Sequence, residues 1–238
     1  MAVEALAAQG FKPTRTIYLV SGHDEEVGGT GAAAAAKLLA ARKVKALFTI
    51  DEGGLITTDT PVINAPAMMI GVAEKGYATL RVTAKGEGGH SSTPPKETAV
   101  ATLAKAVLAI ADSPFPLKFD GPGADMLRSL AVHGSGVTKM AVANSWLFAP
   151  LLLKQMGATP AGAAMLHTTI APTMLEGSPK ENVLPQTATA RINYRIAPSG
   201  SSAQVMQRAK AATQGLPVSL TWEKAPREPS AVSSTTSE

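Results

Sequence analysis

Residues 16–54 read TIYLVSGHDEEVGGTGAAAAAKLLAARKVKALFTIDEGG, and this stretch decides the fold class of the N-terminal part of the chain. Two short β-rich runs, 16–20 and 46–50, flank residues 30–41, which are rich in Ala and Leu and contain no proline. That composition predicts a helix of about twelve residues. A strand, a helix and a second strand in this order predict parallel neighbours joined by a right-handed crossover.

The rest of the chain has a different pattern, which begins near Gly76. Residues 77–85 alternate apolar and polar side chains, which predicts a strand with one solvent-facing side. Residues 113–162 predict only short helices, near 126–131 and 143–156. The same periodicity predicts further strands at 168–175, 187–196 and 218–222, and further helices at 97–111 and 202–213.

The composition is that of an ordinary globular chain, with 45% apolar and 17% charged residues among 238. The net charge is only +4 and aromatic residues make up 4%, which argues against a base-stacking nucleic-acid surface. The absence of cysteine excludes disulfides and thiolate metal sites. No apolar run reaches the roughly 18 residues that a membrane span needs. Residues 1–10 do not resemble a signal peptide. The compartment stays open between cytoplasm and export, because we expect any export signal in an N-terminal part that precedes this sequence.

The acidic loop between the first strand and the helix has three interpretations. Residues 29–34 match the dinucleotide pattern G-x-G-x-x-A, and Asp51 follows about twenty residues later, where a ribose-binding carboxylate is expected. Two features argue against a dinucleotide. The glycines do not follow the strand directly, and Asp24, Glu25 and Glu26 would repel a pyrophosphate.

A divalent metal ion explains the same charges better. A hydrolytic zinc site needs carboxylate or imidazole ligands and an unligated carboxylate that accepts a proton from water. Adjacent glutamates could divide these roles, and Asp51 would lie on the same edge of a parallel sheet. The third interpretation is a solvated loop in which Asp24 caps the helix and Glu25 and Glu26 favour its positive end. Spacing alone does not decide between the last two.

Five ordered motifs resemble the zinc aminoacylase/carboxypeptidase metallopeptidase family, in the branch of carboxypeptidase S and the N-acyl-amino-acid hydrolases. The resemblance covers about residues 14–196 and rests on a specific set of motifs rather than on the glycine pattern. These motifs are GHDEEVGG at 22–29, DEGG at 51–54, IGVAEKG at 70–76, GHSS at 89–92 and ENVLP at 181–185.

The resemblance implies an α/β fold with two parts. One is part of a phosphorylase/hydrolase-like α/β catalytic domain, expected at residues 1–73. The other is an inserted α+β lid (dimerisation) domain with an antiparallel sheet, expected at 74–226. Residues 227–238 are then expected to be a linker that returns to the catalytic domain.

The resemblance also implies roles for three acids of the N-terminal part. Glu25 matches the general base of the family, Glu26 matches a zinc ligand, and Asp51 matches a ligand of the other zinc ion. The implied cofactor is therefore two Zn²⁺ ions in the full-length enzyme. The implied reaction is hydrolysis of an amide next to a free carboxylate, with a peptide or an N-acyl amino acid as substrate.

Three residues of the second part match lid residues of the family. His90 matches a histidine that reaches a partner subunit's site and stabilises the tetrahedral oxyanion, which implies a homodimer formed through the lid. Asn182 and Arg195 match residues that contact the substrate. The resemblance assigns to Arg195 the binding of the free carboxylate of the substrate. A guanidinium suits this role, because two of its N–H groups can donate to the two oxygens of one carboxylate.

The family's upstream His-x-Asp motif is missing, because no histidine in this chain is followed two residues later by aspartate. We therefore expect the chain to be an internal part of a longer enzyme, with an incomplete metal site and little activity alone. The alternative from another class is a non-catalytic, lid-mediated dimerisation or binding module. A dinucleotide-binding protein is a more remote alternative.

Overall fold

The computed structural model describes residues 2–25, 28–52, 54–60, 63 and 65–236. The chain divides into two compact units, residues 1–52 and residues 53–238, each described below by itself. The helices are α1 Ala2–Ala8, α2 Thr30–Ala41, α3 Ala99–Ala111, α4 Gly121–His133, α5 Gly136–Ala143, α6 Ser145–Gly157, α7 Pro160–Leu166 and α8 Ser202–Ala212. The strands are β1 Leu55–Thr60, β2 Ala65–Met69, β3 Gly76–Lys85, β4 Gly89–His90, β5 Thr169–Glu176, β6 Val183–Leu184, β7 Thr187–Ile196 and β8 Val218–Trp222.

The first unit contains the predicted helix, α2, but lacks the predicted strands on either side of it. Among its described residues, the runs 16–20 and 46–50 form no strand. Their apolar side chains are exposed, Leu19 by 77% and Ile50 by 82%. Parallel strands form where helices cover both faces of a sheet, and α2 buries none of its described side chains. The predicted βαβ unit is therefore not formed within this unit.

The second unit is built on a four-stranded antiparallel sheet with the strand order β5-β7-β3-β8. This sheet confirms the predicted antiparallel sheet of the lid. Its two central strands, β3 and β7, pair over ten residues, from Gly76 opposite Ile196 to Lys85 opposite Thr187. Together with α3 and α8 the strands follow the order β-α-β-β-α-β along the chain.

One face of this sheet is buried beneath α3 and α8. Every second residue of β3 and β7 lies in this core, as the alternation of the sequence predicts. Helix α3 begins where the Thr98 hydroxyl accepts a hydrogen bond from the Ala101 amide at 3.2 Å. Helix α8 begins with a capping box between Ser201 and Gln204. The largest fully buried side chains of the unit are Leu80, Val82, Ile110, Ile192, Tyr194, Ile196 and Val205.

The opposite, open face of the sheet carries a chain of ion pairs. The Arg81 guanidinium donates to both carboxylate oxygens of Glu223, at 2.6 and 2.8 Å. Arg191 donates to Glu223 at 3.2 Å and to Glu176 at 2.5 Å, so it links the two acids. The hydrogen bond from Arg81, followed by the one from Arg191, lowers the pKa of Glu223 to about 2.

Helices α4–α7 form an insertion between α3 and β5, which we call the helical module. Its two ends are held together where it leaves and rejoins the sheet. The Lys118 amide donates to the Leu166 carbonyl at 3.0 Å, and His167 Nδ1 donates to the Phe115 carbonyl at 2.9 Å. In the described part of the chain no single helix is long and apolar enough to cross a membrane. Within these described residues, α5 and α6 together, with a bend of 119° between them, match such a span in length and composition.

We predict that replacing Glu223 by Gln lowers the free energy of unfolding at neutral pH, because Arg81 and Arg191 lose the carboxylate they share. The pKa of this carboxyl in the folded chain lies below its ordinary value of 4.5. The difference in free energy of unfolding between wild type and variant should therefore be at its full size above pH 4.5 and should shrink as the pH falls toward 2. Urea unfolding of both proteins at neutral pH and in mild acid measures this difference.

The matched control for this prediction is Glu87→Gln, at an exposed glutamate of the turn after β3. This variant should unfold like wild type at both pH values. A loss of stability in Glu223→Gln that stays constant down to the lowest pH at which the chain folds would contradict the role of the carboxylate.

Candidate functional site

Asp24 of the acidic loop caps the first turn of α2. Its Oδ2 accepts a hydrogen bond from the Thr30 amide at 2.8 Å and another from the Thr30 hydroxyl, and its Oδ1 accepts from the Gly31 amide at 3.1 Å. The hydrogen bond from the Thr30 hydroxyl is the main cause that lowers the pKa of Asp24. Gly29 precedes the helix with a φ of 64°, which glycine adopts without steric cost. Capping by Asp24, which belongs to the solvated-loop interpretation, is therefore present.

The other predicted acids of this unit are only partly described. Glu25 is exposed, next to the capping aspartate, and Glu26 lies outside the described residues. Asp51 is exposed, and its Oδ1 accepts a hydrogen bond from the Glu52 amide at 2.9 Å. Among the residues that the structure describes, no three His, Asp or Glu side chains lie close enough together to hold a metal ion.

His90 is exposed on β4, and its ring is oriented by Ser92. The Ser92 amide donates to His90 Nδ1 at 3.2 Å, and the Ser92 hydroxyl lies 2.8 Å from the same nitrogen. A ring nitrogen that accepts a backbone N–H carries no proton in the neutral imidazole, so the proton is on Nε2. This tautomer leaves an exposed Nε2–H that could donate to a developing oxyanion.

Asn182 lies beside His90. The Ser91 amide donates to the Asn182 carbonyl at 3.1 Å, and His90 is opposite Val183 in the short ladder between β4 and β6. This ladder continues the pairing of β3 with β7 beyond its Lys85 end. The structure therefore brings two of the three predicted lid residues together.

Arg195 lies on β7, at the end of the four-stranded sheet that is farther from β4 and β6. It is opposite Tyr77 in the ladder between β3 and β7, and its guanidinium lies 4.8 Å from the centre of the Tyr77 ring. The Arg227 guanidinium also contacts this ring, at 5.5 Å. In the described part of the chain, neither guanidinium has a carboxylate partner, whereas Arg81 and Arg191 on the same face both do.

The length of the sheet separates the two groups of predicted residues. From Tyr77 to Lys85, β3 advances eight residues, or about 26 Å at roughly 3.3 Å per residue. His90 and Asn182 lie beyond the Lys85 end, and Arg195 lies at the Tyr77 end. Within one chain, therefore, Arg195 cannot contact a small substrate that His90 or Asn182 also contacts.

A shallow groove lies on the open face of the sheet and starts at Tyr77. The volume of this groove is about 350 Å³. Asn193 lies on its floor and donates to the Thr79 hydroxyl at 3.2 Å. Arg191 and Glu223, whose charges are paired with each other, also line the groove, together with apolar residues such as Met174 and Ala225.

Lys75 and Gly76 belong to the motif of residues 70–76, and the sequence predicts no role for either residue. The Lys75 ammonium donates to the Ala164 carbonyl at 2.6 Å and to the His167 carbonyl at 2.9 Å, at the end of α7. Burial, with a contribution from the positive charge of Arg195, lowers the pKa of Lys75. A Cβ on Gly76 would lie 2.6 Å from the Arg227 carbonyl, which explains the glycine.

Residues 227–233, predicted as a linker, run beside residues 72–77. The amide and carbonyl of Arg227 exchange hydrogen bonds with those of Tyr77, at 2.9 and 2.8 Å. The Ser233 amide donates to the Val72 carbonyl at 2.7 Å. The segment that precedes residues 74–226 and the segment that follows them therefore lie side by side.

Part of the chain matches a known family, and most of it matches known proteins. Residues 72–217 match the family described as "Peptidase dimerisation domain" of the M20 peptidases. The chain is 37% identical over 211 residues to the human "N-fatty-acyl-amino acid synthase/hydrolase PM20D1", covering 88% of this chain and 42% of that protein. It is 34% identical over 220 residues to "Carboxypeptidase S" of Saccharomyces cerevisiae, covering 87% of this chain and 38% of that one.

The solved structures that match the chain do so at much lower sequence identity. Human carnosine dipeptidase 1 is 14% identical, with a TM-score of 0.48 over 89% of this chain and 47% of that one. The carboxypeptidase Sso-CP2 of Sulfolobus solfataricus is 17% identical, with a TM-score of 0.40 over 63% of this chain and 43% of that one. The chain spans about two fifths of the length of its curated relatives. By the match over residues 72–217 and the identity to its relatives, the chain belongs to the M20 peptidase family.

Proposed function

We propose that the chain is the dimerisation lid and an adjoining part of the catalytic domain of a metal-dependent amide hydrolase. The observation that carries this proposal is the match to the peptidase dimerisation domain together with the acidic motif of residues 22–29. Relatives are described as a carboxypeptidase and as an N-fatty-acyl-amino acid synthase/hydrolase. The proposed substrate is therefore a peptide with a free C-terminus or an N-acyl amino acid.

The proposed domain limits are residues 1–73 for the catalytic part, 74–226 for the lid and 227–238 for the returning segment. Support comes from the antiparallel hydrogen bonds between 72–77 and 227–233. A domain inserted into another needs its two ends side by side, and these segments meet that requirement.

Glu25 is the proposed general base, which removes a proton from the attacking water and later passes it to the leaving amine. Glu26 and Asp51 are the proposed zinc ligands, one for each of two ions, and further ligands come from other parts of the complete protein. Zinc, when bound, lowers the pKa of its water. The Nε2–H of His90 is the proposed donor to the oxyanion.

We predict that Glu25→Gln, in the protein expressed from the complete reading frame, lowers kcat by about 10²- to 10⁴-fold, because glutamine cannot accept the proton. The affinity for zinc should stay unchanged, since Glu25 is not a proposed ligand. Hydrolysis of an N-acyl amino acid and calorimetric zinc titration measure the two effects. The control is Glu87→Gln, which should keep wild-type turnover. Unchanged turnover in Glu25→Gln would exclude its role as base.

For the 238-residue chain alone we predict no tight, stoichiometric zinc binding and no measurable hydrolysis. Only Glu26 and Asp51 are proposed ligands, which is fewer than a zinc ion needs. Titration of the chain with Zn²⁺ by calorimetry tests this. A one-to-one isotherm that Asp51→Asn abolishes would contradict the proposal that the metal site is incomplete.

We also propose that each active site combines lid residues from two subunits of a homodimer. Arg195 and the pair of His90 and Asn182 lie at opposite ends of the sheet, too far apart to contact one small substrate in one chain. In a two-fold dimer, the Arg195 end of one lid can face the site that the His90 end of the other lid enters. Arg195 then binds the substrate carboxylate, and His90 and Asn182 of the other subunit contact the reacting amide.

This arrangement predicts complementation between two inactive variants of the complete protein. His90→Ala and Arg195→Ala should each lose most activity alone. In a refolded equal mixture, half of the dimers are hybrids and each has one intact site, so about a quarter of wild-type activity should return. A mixture that shows only the sum of the two residual activities would place both residues in the same subunit's site.

The second candidate function is a non-catalytic dimerisation or binding module. It is favoured by the match of residues 72–217 to a dimerisation domain and by the lack of a metal-binding group in the part of the chain that is described. The Glu25→Gln experiment separates the two candidates. A non-catalytic module predicts that neither the wild-type protein nor the variant hydrolyses any acyl amino acid.

A further inference from the structure

Tyr77, near the start of β3, has an arginine on each side. Arg195 is opposite Tyr77 in the ladder between β3 and β7, and Arg227 is opposite Tyr77 in an antiparallel bridge on the other side of β3. Residues that are opposite each other on neighbouring strands project from the same face of a sheet. The guanidinium carbons of Arg195 and Arg227 lie 4.8 and 5.5 Å from the centre of the Tyr77 ring. One ring therefore contacts two cations on the open face.

Gly76 allows the second of these contacts. The Tyr77 amide donates to the Arg227 carbonyl at 2.8 Å, and a Cβ on Gly76 would lie 2.6 Å from that carbonyl oxygen. A larger residue at position 76 would push the returning segment away from β3. The glycine therefore keeps Arg227 in register with Tyr77.

The charge of these two arginines is not neutralised by the described part of the chain. No carboxylate there forms an ion pair with Arg195 or Arg227. Glu228 follows Arg227 in sequence, but its two carboxylate oxygens accept hydrogen bonds from the Ser202 amide at the start of α8, at 3.0 and 3.3 Å. Burial, followed by the charge of Arg195, lowers the pKa of Lys75, so this ammonium adds a third positive charge nearby.

The contact with Tyr77 leaves the N–H groups of Arg195 free to bind a ligand. A guanidinium that lies over an aromatic ring contacts it through its flat face, whereas its N–H donors lie in its own plane. Arg81 and Arg191, on the same face of the sheet, differ from Arg195 because carboxylates already accept from their N–H groups. Arg195 is thus held by a ring and can still donate to both oxygens of one carboxylate.

Holding the guanidinium in place favours binding for an entropic reason. An exposed arginine has many rotamers, and it loses them when it binds an anion, which weakens the binding. The Tyr77 ring removes part of this freedom before the ligand arrives. The guanidinium of Arg195 is therefore preorganised for its ligand.

We propose that Tyr77 is a positioning residue, which holds the Arg195 guanidinium in place for the substrate carboxylate, and that Arg227 is a second cation that attracts the same carboxylate. This proposal rests on the proposed function, in which Arg195 binds that carboxylate. Tyr77 acts through Arg195 and does not contact the reacting amide. Its loss should therefore change the preference for a charged over a neutral substrate rather than the activity in general.

The first test compares Tyr77→Leu with Tyr77→Phe in the protein expressed from the complete reading frame. The substrates are an N-acyl amino acid and its carboxamide, which lacks the negative charge. Tyr77→Leu should raise KM for the acid about three- to tenfold with little change in kcat, and should leave kcat/KM for the carboxamide unchanged. Tyr77→Phe keeps the aromatic face and should behave like wild type.

The matched control is Phe119→Leu. The Phe119 ring, just before α4, also contacts a guanidinium, that of Arg128 at 5.3 Å, so this variant loses the same kind of contact elsewhere. Its preference for the acid should equal that of wild type. Arg227→Gln should lower this preference about two- to threefold at low salt and leave it unchanged at high salt, because ions screen a charge that acts at a distance.

The second test uses the 238-residue chain and does not depend on catalysis. Phenylglyoxal reacts with guanidinium groups, and mass spectrometry of peptides identifies the labelled arginines. N-acetylglycine should protect Arg195 from labelling, whereas the neutral N-acetylglycinamide should not. Arg42, exposed directly after α2, should be labelled equally with both compounds. In Tyr77→Leu, half-protection of Arg195 should need about three- to tenfold more N-acetylglycine.

Two results would overturn the proposal. One is that Tyr77→Leu keeps the wild-type preference for the acid, or loses activity on both substrates equally, and either result leaves the proposed function intact. The other is that N-acetylglycine does not protect Arg195, or protects it equally well in wild type and in Tyr77→Leu. A complete wild-type protein that hydrolyses neither substrate contradicts the proposed function instead, and the labelling experiment then decides the role of Tyr77 by itself.

Discussion

The ten-residue antiparallel pairing of β3 with β7 determines the position of every other feature of the lid. Its register sends alternate side chains to opposite faces, so that Leu80 and Ile192 enter the core while Arg81 and Arg191 face outward. A shift of one residue would exchange these two sets and bury both arginines. The register thus fixes the core and the open face together.

The same pairing explains why a dimer is a natural hypothesis. It places Arg195 opposite Tyr77 at one end and leads, beyond Lys85, to His90 at the other. If Arg195 and His90 have the roles proposed above, one active site uses residues of two lids. At the Arg195 end two guanidiniums stack on Tyr77 without an acidic partner in the described residues, whereas the arginines in the middle of the sheet are neutralised. Positive charge is thus left at the end of the sheet where a carboxylate is expected.

The sheet was predictable from sequence because its strands alternate and its helices have clear apolar periodicity. Residues 77–85, 187–196 and 218–222 were predicted within one residue of β3, β7 and β8. The strands at 16–20 and 46–50 were wrong for this structure, because local β-propensity forms no sheet without a covering layer. The antiparallel pairing of β1 with β2 and the order of α4–α7 were not predicted, because prolines and weak periodicity obscure the pattern in these segments.

Within the candidate site, the sequence predicts which residue types take part more easily than it predicts which residues lie next to one another. Capping of α2 by Asp24 was one of the interpretations left open for the acidic loop, and the hydrogen bonds from Thr30 and Gly31 agree with it. The separation of Arg195 from His90 depends on register, which periodicity does not reveal. Contacts between distant parts of the chain, such as that of Lys75 with the end of α7, leave no pattern in the local sequence from which they could be predicted.

The two ends of the helical module lie close together, and this affects how such chains can diversify. Because Lys118 meets Leu166, and Phe115 meets His167, the polypeptide returns to the sheet at the point from which it departed. Insertions, deletions and exchanges of whole helices between these anchors leave the spacing of α3 and β5 unaltered. Evolution, or an engineer, can therefore vary what this lid contacts while its hydrophobic core stays the same.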